Sequence, residues 1–587
     1  MKGSKGRQPL WRLWAVALVL GMSATGLVAR LAYLQVWQHP EYAAEALGEH
    51  IGQRPLPAHR GSILDRNGYP LATSVDAWDV FIDRKVWAEE RSALRYAERL
   101  APLLGRTPAE IFSATGGEGS GTVLLARQVD YETGRKVADA GIPGVILEQT
   151  SRRVYPEGDA AAPLLGFTGR DGTGLTGVEA DLDAVLTGQP GTLWFERDSL
   201  GNPIPFGYRR RVEPVPGHDV VLTIDRAIQR MAERELDEAI RRTKAKGGTI
   251  IVQDPRTGAI LAMATRPTFS RATLDLNDPK QMELVRNRAV TDQYEPGSVF
   301  KLVTMAAALD SGKVTPNTTY TDTGTAVVGG RAFHNWDFSA NGPTTMTTVL
   351  VRSLNTGTVW LADKVLGPEL FYRYVRAFGF GTPSGIGLGG EARGTVRLPT
   401  DPEWYRADLA SNSFGQGLSA TPLQVIGMVS AIANGGTLMR PYVVQEMRGA
   451  DGVRTTQPEA VRRVISEATA RTLAAMMREV VDANALARVP GYSAAGKSGT
   501  AYVPTREAGP RGDAYVEEVT IPSYVGFAPL NDPRVAILVK LDFLSSADFG
   551  GVLTAPVFAR LARDVLTYLR VPPDRPESLV QQPRTAP

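Results

Sequence analysis

The stretch YEPGSVFKLVTMAAALDSG, Tyr294 to Gly312, sets a serine and a lysine three residues apart at the head of an apolar run. Pro296-Gly297 is a helix-entry signal and Leu309-Asp310-Ser311-Gly312 a stop signal, so the pattern predicts a helix over 298–309. Ser298 then stands in the first turn, among backbone N–H groups with no helical partner, and Lys301 falls on the same face. A lysine there opposes the positive end of the helix dipole. Burial, a neighbouring cation and the dipole all favour its neutral amine, the form that takes a proton from a hydroxyl. Taken alone, the pair also reads as a helix cap beside a lysine in water.

Two further strings change that balance. TTMTTVLVRSLNTGTVWLADKVLG places Ser353 and Asn355 between two helix-like stretches, fifty-five residues after Ser298. GYSAAGKSGTAYV places Lys497, Ser498, Gly499 and Thr500 in a strand-like setting whose glycines allow another backbone to approach. S-x-x-K with S-D-N and K-T-G is the motif set of serine acyl-transfer enzymes that react with penicillin; here the order is kept, with S-L-N as the second motif and K-S-G as the third.

The rest of the chain supplies a large domain for these motifs. At 587 residues, with 43% hydrophobic and 22% charged residues, it has material for several domains. A net charge of +3 gives no general argument for a nucleic-acid partner. With no cysteine, disulfides, thiolate catalysis and thiolate metal sites are excluded. The histidines at 39, 50, 59, 218 and 334 share no ligand spacing, so neither metal nor other cofactor is expected. After Gly217 a strand and an amphipathic helix lead into GGTIIVQDPRTGAILAMATRP, two strands about a turn. Helices are expected at 346–364, 422–434, over SEATARTLAAMMREVV and at about 556–569, with strands at YVVQEMR, SYVGFAP and RVAILVKLD. Strands from both ends of a domain with helices between them make a layered α/β or α+β fold.

At the N-terminus, Lys2, Lys5, Arg7 and Arg12 precede Leu13–Ala29, seventeen residues without a charge, and Arg30 closes the run. Trp11, Trp14, Tyr33 and Trp37 flank it as interfacial aromatics do. The expected topology is a cytoplasmic tail at 1–12, one membrane span at 13–34, and the bulk of the chain on the outer side of the cytoplasmic membrane. No small-x-small cleavage site argues for a signal peptide. A non-catalytic module follows at 35–216, where RGSILDRNGYPLATSVDAWDVFID reads as a hairpin about Asn67-Gly68 and the basic run Arg209–Arg211 lies between weakly structured pieces. The catalytic domain spans 217–570, and the proline-rich residues 571–587 read as a disordered tail. Asp65 and Asp254 read as turn formers.

These motifs, with RGSILDRNGYPLA at 60–72, RRVYPEGDAAAPLLGFTGRDGTGLTGVEADLDAVLTGQPG at 152–191, DPRTGAILAMATRP at 254–267, SFGQGLSATPLQ at 413–424 and SYVGFAP at 523–529, resemble the class B penicillin-binding proteins, the monofunctional transpeptidases of the bacterial wall. The resemblance covers nearly the whole chain and leans toward the division-type members over the elongation type. It implies the penicillin-recognising serine transpeptidase, or β-lactamase-like, fold behind a mixed, dimerisation-like pedestal. It implies Ser298 as nucleophile, Lys301 as base, Ser353 as proton relay, Asn355 as orienter of the substrate amide, and Lys497, Ser498 and Thr500 facing the substrate carboxylate. Backbone N–H groups of Ser298 and Thr500 form the implied oxyanion hole, and Gly499 leaves room for a substrate strand. His334, Trp336 and Gln416 are placed at the cleft rim. The implied ligands are peptidoglycan stem peptides and β-lactams. The implied partners are a polytopic membrane glycosyltransferase and other divisome or elongasome membrane proteins, with no nucleic acid.

Overall fold

The computed structural model describes residues 10–42, 50–115, 121–198, 204–504, 515–544 and 550–579. The chain divides into two compact units, residues 1–59 with 188–216, and residues 60–187 with 217–587.

In the first unit Leu10–Ala32 is an α-helix continued by a π-turn over Tyr33–Trp37. Leu10–Trp37 is long and apolar enough to cross a membrane, and its most apolar window buries nothing. Ile51–Leu56, Gly191–Glu196 and Arg209–Val212 form a small antiparallel sheet. The basic run Arg209–Arg211, expected among weakly structured pieces, is therefore a strand. Its register puts Arg210 opposite Trp194, with the guanidinium 5.3 Å from the indole centroid, a cation–π pair that favours the ordered edge.

The second unit is centred on a five-stranded antiparallel sheet: β1 (Gly247–Gln253), β2 (Ile260–Arg266), β3 (Ala495–Pro504), β4 (Tyr515–Ala528) and β5 (Val535–Asp542), in the order β2-β1-β5-β4-β3. β1 and β5 are buried along their whole length, so both faces must be covered, and their apolar runs do not alternate with polar residues. Ile250 and Val252 turn to a core made with Ile228, Leu236, Phe558 and Leu561 of the helices Arg226–Thr243 and Ala555–Tyr568. Ile251 and Leu538 turn the other way, into a larger core. Among the helices packed into that second core are α1 (Lys301–Asp310), α2 (Met346–Val351), α3 (Asn355–Trp360), α4 (Pro422–Ala433) and α5 (Glu467–Ala483). From Lys301 to Ala308 every residue of α1 is buried, which makes it the central helix of this half.

A second sheet ties the earlier sequence to this unit. Asp219–Leu222 pairs in parallel with Ile63–Leu64, which pairs with Pro70–Asp83 across the turn at Gly68, as the Asn67-Gly68 signal predicts. Asp65 Oδ1 accepts from the N–H groups of Asn67 and Tyr69, so the aspartate is the turn former it reads as. These pairings carry residues 60–187 into the compact unit that holds 217–587, so the units cut across the boundary expected at 216/217.

One expectation fails at the C-terminus. Residues 571–579 are not a disordered tail: Val571 is buried and its carbonyl accepts from Tyr492 Oη at 2.8 Å. Asp574 Oδ1 accepts from Ser493 N at 2.7 Å, and Ser578 Oγ from Gly491 N at 2.8 Å. Arg575 N also donates to Gly491 O at 3.0 Å, and Pro576–Leu579 is a 3-10 turn, so main-chain and side-chain bonds together fix the segment to the strand entry before β3. Residues 580–587 lie outside the described residues.

Candidate active site

Ser298 lies in a 3-10 turn, Gly297–Phe300, directly before α1. With three residues per turn, positions i and i+3 eclipse, so Lys301 stands over Ser298 on one face. Gly297 has φ +58°, and a Cβ on it would come within 2.7 Å of Thr500 O. Its N–H donates to Gly415 O at 3.0 Å. The Pro-Gly pair therefore does more than start a helix. It lets the nucleophile turn pack against β3 on one side and the SFGQG turn on the other.

Ser353 sits between α2 and α3 with φ +56°, a left-handed conformation that is costly for any residue with a Cβ. The turn aims its carbonyl at α1. Lys301 Nζ lies 2.5 Å from Ser353 O, 2.7 Å from Asn355 Oδ1 and 3.2 Å from Ser353 Oγ. Lys497, from β3, reaches the same hydroxyl: its Nζ donates to Ser353 Oγ at 2.9 Å and to Ser498 O at 3.0 Å. Among the described residues no hydrogen bond joins Lys301 to Ser298.

Both lysines are fully buried, 0% and 1% exposed. Burial pushes the Lys301 ammonium well below the usual lysine value, and the charge of Lys497 pushes the same way. Burial alone lowers Lys497 to about 7. The sequence reading weighed the neighbouring charge and the dipole as well; burial leads.

A cavity of about 260 Å³ opens above these groups, with Ser298, Ser353, Asn355, Ser498, Gly499 and Thr500 on its wall. Trp336 and Gln416 also line it. His334 does not: its imidazole lies 3.0 Å from Thr325 Oγ1 and against Phe338, while its carbonyl accepts from Asn355 Nδ2 at 2.9 Å. His334 thus reaches the site through its main chain. Both ends of the Asn355 amide are used inside the protein, which makes it a clamp on Lys301. Gly499 also departs from expectation. A Cβ there would meet Ser523 Oγ at 2.7 Å, Pro296 O at 2.9 Å and Val299 Cγ1 at 3.0 Å. The room it leaves is for the nucleophile turn beneath the strand.

Four wall residues escaped the sequence reading: Arg352, Phe414, Tyr502 and Gly551. Arg352 is next to Ser353, and Tyr502 is two residues beyond Thr500 on the same strand face, so adjacency and strand alternation pointed to both. Phe414 lies two residues before Gln416 in the SFGQG string, a signal of the same kind, whereas Gly551 arrives by tertiary packing and leaves no local signal. Thr500 Oγ1 accepts from Gly550 N at 3.1 Å, which leaves its O–H able to donate into the cavity.

Residues 248–563 match the family of the penicillin binding protein transpeptidase domain, and residues 55–222 the penicillin-binding protein dimerisation domain. The chain is 34% identical over 553 residues to stage V sporulation protein D of Bacillus subtilis, covering 93% of this chain and 83% of that protein. It is 32% identical over 572 residues to the peptidoglycan D,D-transpeptidase FtsI of Escherichia coli K12, covering 96% of this chain and 93% of that one. Penicillin binding protein 3 of Mycobacterium tuberculosis, solved in complex with aztreonam, matches with a TM-score of 0.68 at 29% identity, covering 89% of this chain and 99% of that one.

Proposed function

We propose, because this chain belongs to the class B penicillin-binding proteins and is a serine-type peptidoglycan transpeptidase, that its acyl-enzyme forms on Ser298 with Lys301 as the base. The observation that carries this reading is the convergence of Lys301 and Lys497 on Ser353 directly beneath the cavity that Ser298 lines. A neutral Lys301 has two N–H groups and one lone pair. The N–H groups satisfy Ser353 O and Asn355 Oδ1, and the lone pair accepts from the Ser353 hydroxyl, whose oxygen accepts from a charged Lys497.

In the reaction Ser298 Oγ attacks the carbonyl carbon of a D-alanyl-D-alanine bond. Its proton passes to Lys301, either directly across the eclipsed turn or through Ser353. The oxygen that becomes negative takes the backbone N–H groups of Ser298 and Thr500, donors whose loss typically costs about 3 kcal/mol of barrier. Ser353 passes a proton to the departing D-alanine nitrogen, and Lys497 with the Ser498 and Thr500 hydroxyls holds the terminal carboxylate. An amine of a second stem peptide then attacks the ester, making the cross-link and returning the proton to Ser298. A β-lactam stops at the ester because its leaving nitrogen stays tethered.

The test is mass spectrometry of the chain after fluorescent penicillin. The expected adduct lies on Ser298 and is absent in Ser298→Ala; an adduct on any other residue overturns the assignment.

The wider setting belongs to the same proposal. Residues 13–34, within the helix Leu10–Trp37, span the membrane with residues 1–12 inside, supported by the basic flank and the apolar length. Glycan polymerisation comes from a polytopic glycosyltransferase, since the motifs of this chain account for acyl transfer alone. The sequence leaning assigns it to septal synthesis. Depletion is expected to give filaments, and rounded cells would assign it to elongation instead.

A further inference from the structure

A second cavity, of about 700 Å³, is lined by none of the residues that line the first. One wall comes from the strand Val145–Val154 and the loop after it, another from Phe167–Gly172, and a third from Ser270–Ala272, just beyond β2. Five arginines, Arg60, Arg152, Arg153, Arg170 and Arg271, line it, against the single acidic residue Asp159.

The buried arginines are held in place by their own partners. Glu179, fully buried, accepts from Arg60 Nε at 2.7 Å and from Arg153 Nε at 2.8 Å, while Asp183 takes Arg60 Nη1 at 2.6 Å. Arg153 Nη1 donates to Gly61 O at 2.8 Å. Arg271 lies over the Tyr155 ring at 4.1 Å, with Nε on Gly166 O at 2.9 Å and Nη1 on Gly158 O at 2.7 Å. The side chains of Arg153 and Arg271 are only 6% and 10% exposed. Each leaves one nitrogen, Nη2, buried with no acceptor in the protein.

A guanidinium carries five N–H donors, and a buried donor with no acceptor costs about 1–3 kcal/mol. Arg153, paired with Glu179, and Arg271, 3.7 Å from Asp159, are thus fixed from behind on the wall of one cavity, each with hydrogen-bonding capacity left over. Burial also pushes the Arg271 guanidinium below its usual value, an effect that an anion would reverse. The exposed Arg152 and Arg170, on the first and second walls, add positive field around it. Between the charges the wall is aromatic: Tyr155 lies under Arg271, and Phe167 packs edge-on against Phe269 at 5.5 Å. A bare phosphate leaves such a wall uncovered, whereas a glutamate or aspartate on a peptide covers it with the methylenes beside its carboxylate.

We propose that this cleft binds carboxylate side chains of an acidic segment from a partner polypeptide, with Arg153 and Arg271 as donors and Arg152 and Arg170 as the outer positive field. The cavity is wide enough for several residues of such a segment.

The full chain in detergent is titrated with a fluorescent hexaglutamate peptide, with hexaglutamine and inorganic pyrophosphate as the other arms. Saturable hexaglutamate binding is expected, weakening steeply with salt and about tenfold or more in Arg271→Lys, which keeps the charge but loses the planar fork. Should Arg271→Lys melt early, the exposed Arg152→Ala/Arg170→Ala pair tests the same claim. That variant is expected to weaken the peptide several-fold while penicillin acylation keeps its wild-type rate. Equal binding of hexaglutamine, binding of pyrophosphate alone, absence of saturable binding, or affinity unchanged in the exposed double variant each overturns the proposal.

Discussion

Lys301 and Lys497 meet on one hydroxyl: their Nζ atoms lie 3.2 and 2.9 Å from the Oγ of Ser353. Two ammonium groups on one buried hydroxyl repel strongly in a low dielectric, so the pair holds one positive charge in its resting state. Ser353 is then the atom through which the charged lysine senses the neutral one.

Removing that atom is the first prediction. Ser353→Ala leaves Ser298 and both lysines present but breaks the route between them. Acylation by a β-lactam is expected to slow by about 10²-fold or more, the usual contribution of a positioned proton carrier. The adduct stays on Ser298. A wild-type rate in a stopped-flow measurement would remove Ser353 from proton transfer.

The second prediction concerns pH. Lys301 is depressed first by burial and then by Lys497, so Lys497→Met removes only the second effect and Lys301 moves back up. With a substrate that lacks the terminal carboxylate, the acidic limb of the acylation profile should shift to higher pH in the variant, because the base now protonates earlier. A carboxylate-bearing substrate should in addition lose affinity in the wild type as pH rises through about 7, where Lys497 gives up its charge. An acidic limb that stays in place would mean the two lysines are not coupled.

Linkage gives a third test that needs no substrate. The folded Lys497 titrates at about 7, and an unfolded lysine at about 10.4. Between those values the unfolded chain holds a proton that the folded one does not, so stability rises with pH across that window, by at most about 1.4 kcal/mol per unit. Lys497→Met lacks this term. The Tm of the wild type should therefore gain on the variant between pH 7 and 10, and a constant difference would contradict a depressed lysine.

Most of the catalytic half was legible because each motif carries a local signal: a helix start before Ser298, a break between two helices at Ser353, and a run of small residues in β3. Register and long-range packing were not. The hold of Asn355 on Lys301 and on the His334 carbonyl has no local signal, because those partners lie 54 and 21 residues away. The imidazole of His334 looked like a rim group since nothing local says which way a strand residue turns. The tail from 571 reads as disordered because its prolines break any helical or strand pattern, yet the bonds that fix it run to Gly491, Tyr492 and Ser493, some eighty residues earlier in the chain.

Asp574 shows the consequence of that last point and gives the fourth prediction. Its carboxylate accepts from the backbone N–H of Ser493 at 2.7 Å and, through its other oxygen, from the Ser493 hydroxyl. Ser493 lies just before β3, four residues from Lys497. Asp574→Ala leaves a partly buried donor without its acceptor and is expected to cost about 1–3 kcal/mol. The Tm should fall by a few degrees while acylation at low temperature changes much less. An unchanged Tm would show that the 571–579 segment does not hold the strand entry.

The fifth prediction separates two readings of Gly499. If the glycine only clears space for substrate, Gly499→Ala lowers acylation without touching stability. The contacts say otherwise, because the added Cβ falls 2.7 Å from Ser523 Oγ and 2.9 Å from Pro296 O, both inside the protein. Pro296 O is backbone of the turn that carries Ser298 and has little freedom to retreat. Overpacking of this kind typically costs about 1–3 kcal/mol. Gly499→Ala should therefore lower both Tm and the acylation rate, since the strand bearing Lys497 and Thr500 is pushed off the nucleophile turn. Differential scanning calorimetry beside penicillin labelling reads the two together, and a slow enzyme with wild-type Tm would return the glycine to the role of substrate clearance.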